Sequence, residues 1–404
     1  MLSQSEKTFF DIWCSIIWGT TVELPTDINW QNVLNLAARQ KCLHAFVIWL
    51  KSHHIHTPFD KHLLPKMVMT MQHQARLNHF TIDIINLLEQ NDIPATLIKG
   101  YSLSCIYPDP DTRDFGDVDI YVGEQHYKDA AKIITEAYPD AYWHSDIRGG
   151  IHYILVLDEL LDRVVELHRV TMEFSNPKAN QLFQNFTLQH LNSHNNTIKI
   201  FGESIPVPSA AYNALYVFMH AWHHFESTGV GFRQLGDWAL CLKLAYQQST
   251  TKEWQMLTQE IEQILTALHM KTAWQTFGHV LVSQLKLPVE AFPLYTAHYE
   301  HRANRLLHQL LRDGHGGRPA MGQKGGKAEI ALMKRFPWER PKKYRILQKA
   351  YTASRLLFDT WQMSKFFPSF AWHELKATIR SKYETDCTHK LHNNIALHVE
   401  HKGR

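Results

Sequence analysis

The chain has no Cys-x-x-Cys pair, no long apolar run and little net charge, and each lack removes a class of protein. Its five cysteines, Cys14, Cys42, Cys105, Cys241 and Cys387, are odd in number and scattered. Neither a disulfide framework nor a thiolate zinc site follows from them, and they read as reduced packing residues. No window approaches the roughly 18 uninterrupted apolar residues that span a bilayer, so no membrane span is expected. The opening "MLSQSEKTFFDIWCSIIWG" sets Glu6, Lys7 and Asp11 within its apolar periodicity and lacks a basic start before a clean hydrophobic block. That argues against a signal peptide and for a cytoplasmic chain. A formal charge of +3 is too small to imply a polyanionic partner by itself, although 27 histidines make the charge sensitive to mild acid.

What is present is a globular composition, 45% hydrophobic and 20% charged, over 404 residues, enough for roughly two or three domains. Helical spacing governs residues 1–74: Val33, Leu34, Leu36, Ala37, Leu43, Phe46, Val47 and Leu50 recur at three- and four-residue steps. From Ala75 a last amphipathic helix ends near Asn91–Pro94 and the short apolar run "ATLIKG" follows, a helix-to-strand transition. "DVDIYV" alternates like a strand, "EQHYKDAAKIITEAY" is helical, and "IHYILVL" and "RVVELHRV" read as two more strands joined through "DELLD". Residues 75–205 are therefore a mixed α/β core. Helical spacing returns after Ser209, a suitable N-cap, and defines a helical domain over 206–311. Residues 312–345 hold a glycine-containing loop, "RDGHGGRPAMGQKGGK", with six glycines in sixteen residues, and a basic aromatic segment, "KRFPWERPKKYR". Residues 346–404 read as a helical region with a frayed, polar tail. The fold class is α+β.

The concentration of charge lies in "PDPDTRDFGDVD", where five aspartates occupy the eleven positions 109–119. Asp117 and Asp119 sit one residue apart in the expected strand, so their carboxylates share a face about 6.6 Å apart along the chain. Such a pair repels unless cations bridge it, and two magnesium ions roughly 3.5–4 Å apart would organise a triphosphate for in-line attack. Upstream, Gly100 lies between an apolar run and a helix expected from Ser102, a geometry in which free amides meet an anion and the Ser102 hydroxyl adds a contact. Glu166, in the strand "VVELH", is the candidate third acid, sharing a face with Val164 and His168. It would bind metal or accept a proton from an attacking hydroxyl. His168 is either its partner or a structural histidine. Asp109, Asp111 and Asp114, among prolines, read as turn residues. A calcium loop counted from Asp109 fails, because Asp114 and Ile120 stand where glycine and glutamate are required.

Strand, glycine, short helix, Asp-x-Asp strand and a later acidic strand together resemble the polymerase-beta-type nucleotidyltransferase superfamily. Within it, "LIKGYSLSCIYPDPDTRDFGDVDIYV", "VVELHRV" and "HAWHHFESTGVGFRQLGDWAL" are similar to the bacterial family labelled uncharacterised nucleotidyltransferase, over roughly residues 75–245. The resemblance implies a small mixed-sheet nucleotidyltransferase core beside a helical region, and magnesium-dependent transfer of a nucleotidyl group from an NTP. It puts Gly100 and Ser102 at the phosphate, Asp117 and Asp119 on metal, and Glu166 as third acid. Lys99 is either a phosphate contact or a surface lysine, and Arg113 either contacts phosphate or pairs with an aspartate. Arg233 is expected to meet nucleotide or acceptor, its default being an i, i+4 ion pair with Asp237. Tyr101 departs from the superfamily, which favours Gly or Ser there, and its bulk would crowd a phosphate; a degenerate nucleotide-binding module is the alternative it raises. His220 and His224, four apart, with Asp237, invite a zinc site, although a polar helix face turned towards the cleft is the preferred reading. The acceptor is a small molecule, a protein or RNA, the last as a tRNA-modifying, toxin-like activity suggested by the basic aromatic segment; nothing in that segment reads bases, so DNA sequence recognition is not expected.

Overall fold

The computed structural model describes residues 2–139, 142–145, 152–156, 164–174, 176–191, 196–227, 229–315 and 372. The expected "DELLD" connection, most of the glycine-containing loop, the basic segment and nearly all of the C-terminal region lie outside them. The chain opens with helices α1 (Gln4–Trp18), α2 (Trp30–Arg39), α3 (Leu43–Ser52) and the long α4 (Asp60–Glu89). Then come β1 (Thr96–Leu97), the single-turn α5 (Tyr101–Ser104), β2 (Val118–Tyr121), α6 (Tyr127–Ala137), β3 (Tyr142–Ser145), β4 (His152–Val156) and β5 (Val164–His168). Helix α7 (Pro177–His190) and a hairpin of β6 (Thr197–Ile200) and β7 (Glu203–Pro206) lead to the helical half. That half comprises α8 (Ala210–Ser227), α9 (Phe232–Gln248), α10 (Thr251–Ala267), α11 (Lys271–Leu285) and α12 (Glu300–Asp313).

The main sheet has the order β1-β2-β5-β4-β3. Among the described strands only β2 and β5 pair in parallel, and their register sets Asp119 opposite Glu166 and Tyr121 opposite His168. Strands β2 and β5 send Val118, Ile120, Val165 and Leu167 into a core with Leu77, Phe80 and Ile84 of α4 and Ala130 and Ile134 of α6. Since alternate residues of a strand face opposite ways, that buried set leaves Asp119 and Glu166 on the other face. Sequence reading anticipated β1, β2, β4 and β5; β3 and the β6–β7 hairpin are additions.

Helix α4 runs unbroken through residues 74 and 75, where the sequence pattern changes. Its later turns supply the sheet's core, while α1–α3 join a second core with α8–α12. Phe9 stacks on Phe46 at 5.2 Å between ring centroids and Phe10 meets Phe232 edge-on at 4.9 Å, so residues early in the chain complete the helical half. Trp13 lies against Gly236, where a Cβ would approach its ring to 2.7 Å; glycine permits that helix contact. Local signals frame these helices. A Ser3–Glu6 capping box starts α1 and left-handed Gly19 ends it. The Ser209 hydroxyl accepts from the Tyr212 amide at 3.0 Å and caps α8, as expected from the sequence.

Candidate active site

The site begins at the turn after β1. Gly100 has φ 65°, ψ −127°, and a Cβ there would lie 3.3 Å from the Asp117 carbonyl and 3.5 Å from Phe115. Both the backbone conformation and the close return of the chain ahead of β2 therefore call for glycine. The helix that follows is one turn long and starts at Tyr101, shorter than the apolar spacing suggested. Ser102 is buried and its hydroxyl donates to the Lys99 carbonyl at 3.1 Å. The Tyr101 ring packs edge-on against Phe115, with centroids 6.3 Å apart. Gly100 lines the adjoining cavity, while Tyr101 and Ser102 do not.

That cavity, about 210 Å³, has one wall from the sheet and its connections and one from the helical half. On the first, Lys99 Nζ donates to Asp119 Oδ1 at 2.6 Å, and His168 Nε2 donates to the same oxygen at 3.0 Å. Glu166 Oε2 lies 3.7 Å from His168 Nε2, and these two residues do not themselves line the cavity. Asp119 is fully buried, and its Oδ2 is a buried oxygen without a hydrogen-bond partner among the described residues. Asp119, Glu166 and His168 each offer one atom, all within 4.8 Å of one another, a group that could hold a metal ion. An orphaned carboxylate oxygen beside a second carboxylate is the donor set that a hard divalent cation fits. Asp117 stands just before β2 instead of inside it, lies outside this group, and lines the same cavity.

The charges are strongly coupled. The neighbouring Asp119 charge, then burial, raises the Asp117 pKa above the ordinary carboxylate value. Burial pushes the Glu166 carboxyl up, but the His168 hydrogen bond and the Lys99 charge outweigh it and bring the pKa down to about 2. For His168 burial acts downwards, and the hydrogen bonds to Asp119 and Glu166 carry it above 6.5. Burial likewise opposes the Lys99 ammonium, and Asp119, with Tyr216, Asp117 and Glu166, raises its pKa past the usual lysine value.

The opposite wall is a stripe of α8: Tyr216, His220 and His224, spaced by four, together with Arg233 and Gln234 of α9 and His315. His220 and His224 face each other through their Nε2 atoms at 3.1 Å. Burial lowers the pKa of both, to about 3 for His224, and holds His315 near 4, so these imidazoles are neutral at neutral pH and the charge of this wall comes from Arg233. The cleft-facing reading of the two histidines agrees with this geometry. The zinc set loses Asp237, which is occupied elsewhere. Tyr216 escaped sequence reasoning, although its place four residues before His220 was the signal for it.

Asp237 does not form the intrahelical pair with Arg233. Arg113 Nε and Nη2 donate to its two carboxylate oxygens at 2.7 and 3.0 Å, and the Tyr107 hydroxyl adds a third bond at 2.7 Å. Arg113 Nη1 donates to the Gly100 carbonyl at 2.9 Å. Arg113 is thus a buried bidentate partner of an aspartate, with its donors turned to protein. Arg233 in turn donates from Nη1 to the Asp114 carbonyl at 2.6 Å and lies 3.3 Å from the Asp114 carboxylate. Two crossed arginine–aspartate pairs consequently fasten the segment before β2 to α9. Asp109 accepts from the Asp111 amide at 3.1 Å and starts a 3-10 turn, in keeping with its turn role.

A small mixed sheet bearing apposed acids, walled by helices, has the makeup of a nucleotidyltransferase. The chain belongs to the family described as uncharacterised nucleotidyltransferase, which matches residues 26–274. Among solved structures it is similar to an antigenic nucleotidyltransferase-like protein from Paracoccidioides brasiliensis, at 18% identity and a TM-score of 0.31 over 53% of this chain and 92% of that one. No curated protein matches the chain. Among the described residues no helix is long and apolar enough to cross a membrane.

Proposed function

We propose that the chain transfers a nucleoside monophosphate from an NTP to an acceptor hydroxyl with magnesium. The observation that carries this reading is the Asp119–Glu166 apposition across β2 and β5, with the orphaned Asp119 Oδ2 beside it. Asp119 and Glu166 would hold the metal, which when bound supplies charge stabilisation to the attacking and leaving oxygens. Glu166, held near 2, stays ionised and suits a ligand role. Asp117, with its raised pKa, is the better proton acceptor for the incoming hydroxyl.

Lys99 and Arg233 are the cavity-lining cations placed to meet phosphate oxygens, and bare Gly100 keeps the turn between them open. A cavity of 210 Å³ is smaller than the roughly 300–1,000 Å³ that enclose a drug-sized ligand, so it suits the phosphate end and the acceptor oxygen, with the nucleobase farther out. The placement of Tyr101 against Phe115 supports a working turn over a degenerate one.

The test is incubation with each α-labelled NTP, Mg2+ and fractions of cell extract supplying small-molecule, protein and RNA acceptors. Label should move to one fraction, and Asp117→Asn and Glu166→Gln should each reduce transfer by about 100-fold or more. Transfer that persists unchanged in both variants would sink the assignment.

A further inference from the structure

We infer that Lys99 is a built-in cation that makes metal loading depend on nucleotide. The proposal deepens the function above and rests on it. Asp119 uses its two oxygens unequally. Oδ1 receives Lys99 Nζ at 2.6 Å and His168 Nε2 at 3.0 Å, while Oδ2 is buried and has no hydrogen-bond partner among the described residues. A divalent ion on Oδ2 would share one carboxylate with an ammonium, in a place where little water screens the two. Lys99 and Asp119 are 14% and 1% exposed at their side chains, so neither charge can easily turn to solvent.

The ammonium thus has two opposite effects. Without nucleotide it satisfies the carboxylate and opposes a second cation, so the acids can be held together without metal. With a triphosphate in the cavity, the polyanion offsets both positive charges at once, and metal and nucleotide bind better together than apart. Lys99 lines that cavity, so one ammonium can hold Asp119 Oδ1 and also meet a phosphate entering the cavity. His168 Nε2 shares Oδ1 at 3.0 Å but does not line the cavity, so it is not placed to meet phosphate as Lys99 is.

The test compares wild type with Lys99→Met and Lys99→Arg. Bare Mn2+ binding is followed by electron paramagnetic resonance, and metal-free α,β-methylene NTP by calorimetry. In wild type, bare Mn2+ should bind weakly and at least tenfold more tightly once the analogue saturates the site. Lys99→Met should bind bare Mn2+ at least tenfold more tightly than wild type and the metal-free analogue at least tenfold more weakly; Lys99→Arg should resemble wild type in both. Bare Mn2+ affinity in Lys99→Met equal to or below that of wild type overturns the proposal. Should Lys99→Met not fold, the wild-type arm decides: equal Mn2+ affinity with and without analogue overturns it. The bare-metal comparison contains no nucleotide, so a failure of the transfer reaction registers separately in the labelling experiment.

Discussion

The two walls of the cavity differ in kind. The sheet wall sets Asp117 and Asp119 against Lys99, whereas the helical wall presents imidazoles kept neutral by burial beside the single cation Arg233. A wall of carboxylates and an ammonium answers to charge; neutral imidazoles offer hydrogen bonds without adding to it. The contrast teaches that the halves of the site are tuned separately and joined mechanically, through the crossed pairs Arg113–Asp237 and Arg233–Asp114.

The largest break in that arrangement should come from the joint. Arg113→Met leaves Asp237 buried without its bidentate partner and should cost about 3–5 kcal/mol in denaturant unfolding, while the double variant Arg113→Met with Asp237→Leu should recover much of it. Gly100→Ala forces a side chain into φ 65° and against the Asp117 carbonyl; a loss of roughly 1–3 kcal/mol is expected, with a fall in transfer activity beyond what the stability loss explains. Asp109→Ala removes only a turn cap and should cost about 0.5–1 kcal/mol with transfer unchanged, which separates this exposed aspartate from Asp117 and Asp119 in the proposed site.

The gentlest probe is pH. His224 has a folded-state pKa near 3 against an ordinary 6.5, so the unfolded chain binds the proton more readily. Its contribution to stability is complete above 6.5 and is lost as pH falls through the window towards 3. Thermal melts across that window should show a shallower acid slope in His224→Gln than in wild type, and an identical slope would remove the neutral-imidazole account.

Much of the charged cluster around Asp119 was legible in the sequence because its signals are local. The Lys-Gly turn, the Asp-x-Asp spacing and the Glu-x-His strand each lie within a few residues, and strand periodicity assigns their faces. The joint was not legible. Arg233 and Asp237 advertise an i, i+4 pair, but burial of Tyr107 and Arg113 against α9 offers Asp237 three better donors, a tertiary outcome that local spacing cannot express. The same reason hid the union of α1–α3 with the helical half, since aromatic contacts between distant segments leave no periodic trace. Strands β6 and β7 escaped because "TIKI" and "ESIP" are short, with only Ile200 and Ile205 deeply buried.

The parallel pairing of β2 with β5 has a consequence for how this protein can vary. Asp119 meets Glu166 through register, and the stretch of chain between them does not set that meeting. Residues may be added to or taken from the connections between these strands with the acids still facing each other. A single residue gained or lost inside either strand would turn the following carboxylate or imidazole to the opposite face and push an apolar neighbour into its place. Length is therefore free to drift around the site, and fixed to the residue within it.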